Sequence, residues 1–331
     1  MRNVRRLCAL LIAVAMAVAV AACDGGGDGD DEGPPTTPGA EGTFIPTPDP
    51  VTYPTTITDM LGRSVRIAER PERIAALSPT TVEFVYALGA STVTRSSETD
   101  YPPEALAAAD IGPASSPDLE RVIQQNPDII IADSVTQVAL SEQLEATDVP
   151  VVFAGARSFA EVLTAWEVIG HAIDKRAEAT EGAARTLNTL TVVTTRLPGY
   201  QPAVLALYGT PDDLLASTDA TYIGDLLRLL SAHNVASGQP PEGSPPGFAR
   251  VPVEYFWSNL PNVILVIGAT PEDGEAIVDF VTTDPDWLIL HTVQGRVHAL
   301  DRAIYLDAPG PRATLAVDEL SKLLFPEVFG P

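Results

Sequence analysis

An α/β fold of two lobes, built mainly from parallel sheets and divided by a long helical stretch, is what this sequence predicts. Three observations lead there. Short apolar runs that read as strands alternate with runs that read as helices, first from Arg73 to Phe153 and again from Ala203 to Ile267. Between these halves, from Ser158 to Leu197, helical periodicity takes over alone. A short pattern also recurs on either side of that stretch. Asp118-Leu119-Glu120 stands ahead of Pro127 and Asp128-Ile129-Ile130-Ile131, and Val253-Glu254 stands ahead of Pro261 and Asn262-Val263-Ile264-Leu265, with the glutamate seven residues before the proline each time. Continuously apolar strands alternating with helices belong to parallel sheets covered on both faces, and a pattern found once per half fits duplicated lobes.

The elements follow in order. Arg2, Arg5 and Arg6 precede the apolar run Leu7–Val20, which is short for a bilayer span, and Ala21-Ala22-Cys23 closes it with small residues and a cysteine. Residues 1–22 read as a signal peptide, and Val20-Ala21-Ala22-Cys23 resembles a bacterial lipobox, which implies lipidation at Cys23. Residues 23–54 follow as a tether rich in Gly, Asp, Pro and Thr, without apolar periodicity. An N-terminal lobe is expected over 55–157, a helical segment with the linking helix over 158–197, and a C-terminal lobe over 198–331. Thr56-Ile57-Thr58-Asp59 and Ser64-Val65-Arg66-Ile67 predict a hairpin. Arg73–Leu77, Asp128–Ala132 and Val149–Phe153 read as strands; Thr81–Leu88, closing at Gly89, and Leu119–Gln125 read as helices. One helix is expected to about Ile173. A second, of about 22 residues, runs from Lys175 with Asp174 as its N-cap, its Thr180, Ala183, Ala184, Leu187, Leu190, Thr194 and Leu197 falling on one stripe before Pro198-Gly199. Alternation then resumes through Ala203–Tyr208, Ile223–Leu230, Val253–Ser258 and Val263–Ile267.

Composition narrows the function. The chain carries a formal net charge of −24 and its only lysines are Lys175 and Lys322. Such a surface repels nucleic acid and leaves few cations for an anionic ligand. Apart from Cys8 and Cys23 there is no cysteine, so a disulfide, a redox pair or a thiolate metal site is excluded from the folded part. No Gly-x-Ser-x-Gly elbow and no phosphate-binding Gly-rich loop with Lys occurs. His171, His233, His291 and His298 are scattered, with no His-x-x-x-His pair, so no metal site is expected. A non-enzymatic binder without cofactor is the reading. Ser78-Pro79-Thr80 and Tyr208-Gly209-Thr210-Pro211 follow strand ends, where open α/β sheets present a ligand crevice.

Several segments then resemble one family in the right order from about Thr55 to Val328. They are Asp59-Met60-Leu61-Gly62-Arg63, Pro71-Glu72-Arg73-Ile74, Leu77-Ser78-Pro79-Thr80-Thr81-Val82-Glu83, Tyr86-Ala87-Leu88-Gly89-Ala90, Asp100-Tyr101-Pro102-Pro103-Glu104-Ala105, Asn126-Pro127-Asp128, Tyr222-Ile223-Gly224-Asp225-Leu226-Leu227 and Gly310-Pro311-Arg312. The chain is similar to the solute-binding lipoproteins of ABC importers that capture iron complexes and cobalamin. That resemblance implies two Rossmann-like lobes joined by a single long α-helix, with a metal chelate held between them and delivered to the permease by a monomer on the outer face of the cytoplasmic membrane. It implies a corrinoid such as cobalamin as first choice, with haem or a ferric siderophore as alternatives, and permease docking through Glu120 and Glu254. Each glutamate is equally a first-turn residue favoured by its helix dipole. Pro79, Thr80, Tyr101, Tyr208, Phe248 and Arg312 are the expected ligand contacts. Ala114, Asp133 and Glu98 stand where similar cobalamin binders carry aromatic residues. Tyr222, Tyr255, Trp257 and Trp287 are further candidates for the cleft wall, and Arg95 and Arg157 for ligand anions. Trp166 and Trp257, on expected helices, are also read as core. Arg312 serves equally as a brace within the C-terminal lobe.

Overall fold

A computed structural model describes residues 48–242, 245–294 and 296–330. Cys23, the segment 1–22 and the tether as far as residue 47 lie outside the described residues, and so does the side chain of His291. The fold is α/β. Its opening hairpin, β1 (Thr55–Thr58) and β2 (Ser64–Ile67), pairs antiparallel with Thr58 opposite Ser64. Asp59 holds the turn: its carboxylate accepts from the N–H groups of Leu61 and Arg63 and from the Arg63 guanidinium. Asp59 also accepts from Phe153 N–H, while Arg63 donates to the Val151 carbonyl, so the hairpin covers the free edge of the first sheet.

That sheet contains β3 (Ile74–Ala76), β4 (Thr92–Arg95), β5 (Ala109–Asp110), β6 (Ile129–Ala132) and β7 (Val151–Phe153), all parallel, in the order β5-β4-β3-β6-β7. Every residue of β3, β6 and β7 is buried, as covering on both faces requires. Helices α1 (Pro79–Ala87), α2 (Leu119–Gln124) and α3 (Ser141–Glu145) connect the strands. α1 starts in a capping box in which Ser78 Oγ accepts from Thr81 N–H and Thr81 Oγ1 accepts from Ser78 N–H.

Next come α4 (Phe159–Ala172), capped by Ser158, and the linking helix α5 (Arg176–Thr195), 20 residues long, about 30 Å at the usual rise per residue. Asp174 is not the N-cap expected of it. It takes a left-handed φ of 57° at the joint between the helices, and its carboxylate accepts from Val51 N–H and pairs with Arg70, tying down the entering chain. The buried stripe of α5 is shifted from the expected one: Ala179, Gly182, Thr186, Leu190 and Val193 are buried, and of the expected residues Leu190 is among them while Ala183, Leu187 and Leu197 pack partly buried against the same core. The reason is steric, not hydrophobic. A Cβ on Gly182 would stand 2.7 Å from the Trp166 ring, and one on Gly170 would stand 2.3 Å from Ala179 Cβ. Close approach of α4 and α5 selects small residues where a hydropathy stripe looks for large ones.

The second sheet is mixed. β8 (Ala203–Thr210), β12 (Val263–Gly268) and β13 (Val297–Ala299) run parallel, and β10 (His233–Asn234) pairs parallel with the start of β8. β9 (Asp213–Ser217) folds back antiparallel on β8, with β11 (Phe248–Ala249) antiparallel beside it. Around the sheet lie α6 (Tyr222–Leu229), α7 (Val253–Trp257), α8 (Pro271–Thr283), α9 (Pro285–Gln294), α10 (Ala313–Leu324) and α11 (Pro326–Phe329). One apolar cluster runs through both lobes, from Phe84 and Trp166 past Leu190 on α5 to Leu226 and Leu320. The lobes thus share a core along the linking helix, which limits how far they can swing apart.

The sequence repeat is a repeat in space. Asp128 N–H donates to the Arg73 carbonyl at 2.8 Å while its carboxylate accepts from Arg73 N–H at 2.8 Å. Asn262 makes the same two bonds to Ala203, at 2.6 and 2.7 Å. In each lobe the residue after the proline clamps the start of the neighbouring central strand.

The inter-lobe cleft as candidate functional site

In an open α/β sheet the ligand crevice lies beyond the carboxyl ends of the strands, where the strand order reverses. In the first sheet this point lies between β3 and β6, and in the second between β8 and β12. Ser78-Pro79-Thr80 leaves β3 and Asp133 leaves β6; Tyr208 lies near the carboxyl end of β8 and Ala269 follows β12.

The N-terminal wall is polar. Ser78 Oγ donates to Asp133 at 3.1 Å, and Asp133 accepts from the N–H groups of Val135 and Thr136. Burial pushes the Asp133 carboxyl upward. A side chain at position 155 would stand 2.8 Å from this carboxylate, which explains Gly155. Gln137 knits the wall together: its Oε1 accepts from Asp133 N–H, and its amide donates to the carbonyls of Leu77 and Ala114. Ala114 N–H in turn donates to Glu98. The three positions where an aromatic residue was looked for thus form one hydrogen-bonded system.

The C-terminal wall is aromatic and cationic. Tyr208 leans on Phe248 with ring centroids 5.2 Å apart. Arg302 donates to the Tyr208 hydroxyl at 3.1 Å and the Ala269 carbonyl at 2.9 Å, and pairs with Asp307 at 2.8 Å.

Three contacts join the walls at the cleft floor, all from one face of α1. Thr80 Oγ1 donates to the Asp307 carbonyl at 3.3 Å. Glu83 accepts Nε and Nη2 of Arg312 at 2.9 and 2.5 Å. Gly310 sits against Phe84, where a Cβ would meet the ring at 3.3 Å. Arg312 also lies 4.8 Å from the Tyr101 ring centroid. The Glu83 side chain is 2 % exposed and that of Arg312 12 %. Burial, reinforced by Asp100 and Asp301 and opposed by the guanidinium, pushes the Glu83 carboxyl up to about 7.

The expected site residues are therefore distributed unevenly. Tyr101 is 46 % exposed, and Tyr208 and Arg312 are half-buried. Pro79, Thr80 and Phe248 are buried. Arg312 braces one lobe against the other. Tyr222 and Trp287 belong to the core, and Tyr255 packs against Phe256. Trp166 is core at 3 % exposure, but Trp257 is not: it is 42 % exposed on α7, its indole N–H donating to the Asp286 carbonyl. Arg95 pairs with Asp110 and Arg157 with Glu161. Sequence reasoning missed Glu83, Arg302 and Asp307. A lone acid between Val82 and Phe84 in an apolar helix was a signal for Glu83, though its partner lies 229 positions away. Glu120 and Glu254 are exposed, each in the first turn of a short helix, α2 and α7. Two hollows elsewhere, about 400 Å³ beside Arg63 and Glu145 and about 380 Å³ beside Trp166 and Thr186, lie away from both strand-order reversals. Among the described residues no cluster of His, Cys, Asp and Glu is arranged to hold a metal ion, and no helix is long and apolar enough to cross a membrane.

Known proteins share this architecture. An ABC transporter substrate-binding lipoprotein of Bacillus subtilis, YvrC, is 24 % identical over 288 residues, covering 84 % of this chain and 87 % of the relative. A vitamin B12-binding protein of Pectobacterium carotovorum is 25 % identical over 233 residues, covering 66 % of this chain and 82 % of the relative. In structure, an ABC transporter substrate-binding protein from Listeria monocytogenes matches with a TM-score of 0.67 at 25 % identity, over 78 % of this chain and all of its own. These relatives are named as substrate-binding or ligand-binding proteins. The sequence profile of the periplasmic binding protein family matches residues 74–302, and the chain belongs to that family.

Proposed function

We propose that this protein is the substrate-binding component of an ABC importer, held by lipid on Cys23 at the outer face of the cytoplasmic membrane and acting as a monomer. It captures a metal chelate between lobes 55–157 and 198–331 and presents it to the permease through Glu120 and Glu254. The observation that carries the choice of ligand is electrostatic. Both cleft arginines are already neutralised, Arg302 by Asp307 and Arg312 by Glu83, and Asp100 and Asp301 add uncompensated acid nearby. Among the described residues, a ligand bearing several carboxylates meets no spare cation there. A corrinoid carries peripheral amides instead, whose N–H groups suit the carboxylates and carbonyls of the polar wall, while Tyr208 and Tyr101 cover flat apolar surface. Cobalamin is the first choice on this ground, with a vitamin B12-binding protein among the relatives.

Haem or a ferric siderophore is the second reading, favoured by one contact. Tyr208, whose hydroxyl accepts from Arg302, supplies a phenol oxygen of the kind that can ligate haem iron. Titration of the purified protein with cyanocobalamin, haemin and ferric citrate, followed by calorimetry and visible absorbance, tests both. Saturable binding of cyanocobalamin alone is expected. Tight haemin binding with a tyrosinate charge-transfer band replaces the corrinoid by the second reading, and no binding of any probe removes the metal-chelate assignment.

A further inference from the structure

The duplicated clamps make α2 and α7 equivalent elements, and their sequences align without a gap, with Arg121 against Tyr255 as the one change of character. Glu120 matches Glu254, both exposed. Val122 matches Phe256, at 0 % and 1 % exposure the buried anchors of their helices. Ile123 matches Trp257, and these are large apolar side chains left 38 % and 42 % exposed. Single exposed apolar residues need no explanation. A pair in equivalent positions of two diverged lobes, each three residues after an exposed carboxylate, does. Residues at i and i+3 share a helix face, so each lobe offers a carboxylate and an apolar knob side by side. The Trp257 ring is held in place by its bond to the Asp286 carbonyl, which removes the entropy that immobilising it would otherwise cost.

We infer that Ile123 and Trp257 are the apolar anchors of a two-point docking surface, each seating beside the salt bridge made by Glu120 or Glu254. The inference rests on the permease-docking reading above. The partner it fits is the membrane subunit pair of an ABC importer, presenting one basic socket to each lobe with an apolar hollow next to it. An apolar knob excludes water from the adjacent ion pair and so strengthens it, which an exposed carboxylate alone does not achieve. The two knobs differ in size, so the two sockets differ too, and the protein docks in one orientation, not two.

A photocrosslinking residue placed at 123, 257 and, as a control, at exposed Leu315 tests this in the source cells, followed by affinity measurement on membranes enriched in the captured subunit. Positions 123 and 257 are expected to crosslink to a polytopic ABC permease subunit and position 315 is not. Ile123→Ser and Trp257→Ser should each weaken membrane binding about tenfold, Trp257→Phe should retain most of it, and ligand affinity and thermal stability should stay at the parent values. Parent membrane affinity in both serine variants, with Glu120→Gln and Glu254→Gln weakened, overturns the anchors and leaves the docking glutamates standing. Parent affinity in all four overturns the docking reading itself. Crosslinks to a second copy of this chain, or to no permease subunit, also overturn the inference.

Discussion

The two lobes begin from one plan and end as different walls. In both, a short helix with an exposed first-turn glutamate leads through a proline to a clamp residue and a buried central strand. At the far ends of those strands the likeness stops. The N-terminal wall is a closed hydrogen-bonded system around Asp133 and Gln137, built on an all-parallel sheet. The C-terminal wall is Tyr208 backed by Phe248, on a sheet widened by the antiparallel pair β9 and β11. Phe248 reaches Tyr208 only because β11 pairs beside β9. The added strand β11 therefore supplies the ring that backs Tyr208. The two lobes are alike in the parts that hold strands in register and differ in the parts at the strands' carboxyl ends.

Breaking the contact that joins the walls should have the largest effect. Glu83→Leu removes the carboxylate that pairs with buried Arg312, leaving only Asp100 and Asp301 nearby, neither bonded to it, and should lower unfolding free energy by about 3 kcal/mol at pH 8.5, measured by urea denaturation. Replacing both residues by leucine should recover most of that loss, since the pair is costly to desolvate, while small-angle scattering shows the lobes less tightly fixed. Equal stability of the single variant and the parent would show that the clasp does not hold the floor of the cleft. The walls themselves are compared through ligand affinity. Tyr208→Ala should cost about 2 kcal/mol, roughly 30-fold, and Glu98→Ala on the polar wall only about threefold; the reverse order would transfer recognition to the N-terminal wall.

Smaller effects test the duplication. Asp128→Ala removes an acceptor for two N–H groups, those of Glu72 and Arg73, and should cost about 1.5 kcal/mol; Asn262→Ala removes the acceptor for Ala203 N–H and should cost about 1 kcal/mol. The last test is in pH. The Glu83 carboxyl, raised from its usual 4.5 to about 7, contributes stability that is fully present below 4.5 and is lost as pH rises through 7. Folding should take up a proton in this window, and Glu83→Gln should flatten that part of the stability profile relative to the parent protein.

Much of the frame was legible locally. The hairpin at Thr55–Ile67, the buried strands β3, β6 and β7, the helix α4 after Ser158 and the paired glutamates lie where periodicity and repetition placed them. The locally driven errors are instructive. Asp174 has the chemistry of an N-cap but serves as a left-handed joint anchored to Val51 and Arg70, and Trp257 has the hydrophobicity of a core residue but sits on a five-residue helix too short to bury it beside Phe256.

What the sequence by itself determined is the set of contacts whose partners lie within a few residues: strand and helix periods, caps, the repeat, and through them the fold and the family. Only the tertiary structure decided the cleft. Arg312 with Glu83, Arg302 with Tyr208, and Phe248 behind Tyr208 join positions far apart in the chain, and no local pattern names the partner. The physical reason lies in what chain folding brings together. Whether an arginine is free to bind an anion or is spent on a carboxylate depends on which side chains the packing of two lobes happens to bury beside it.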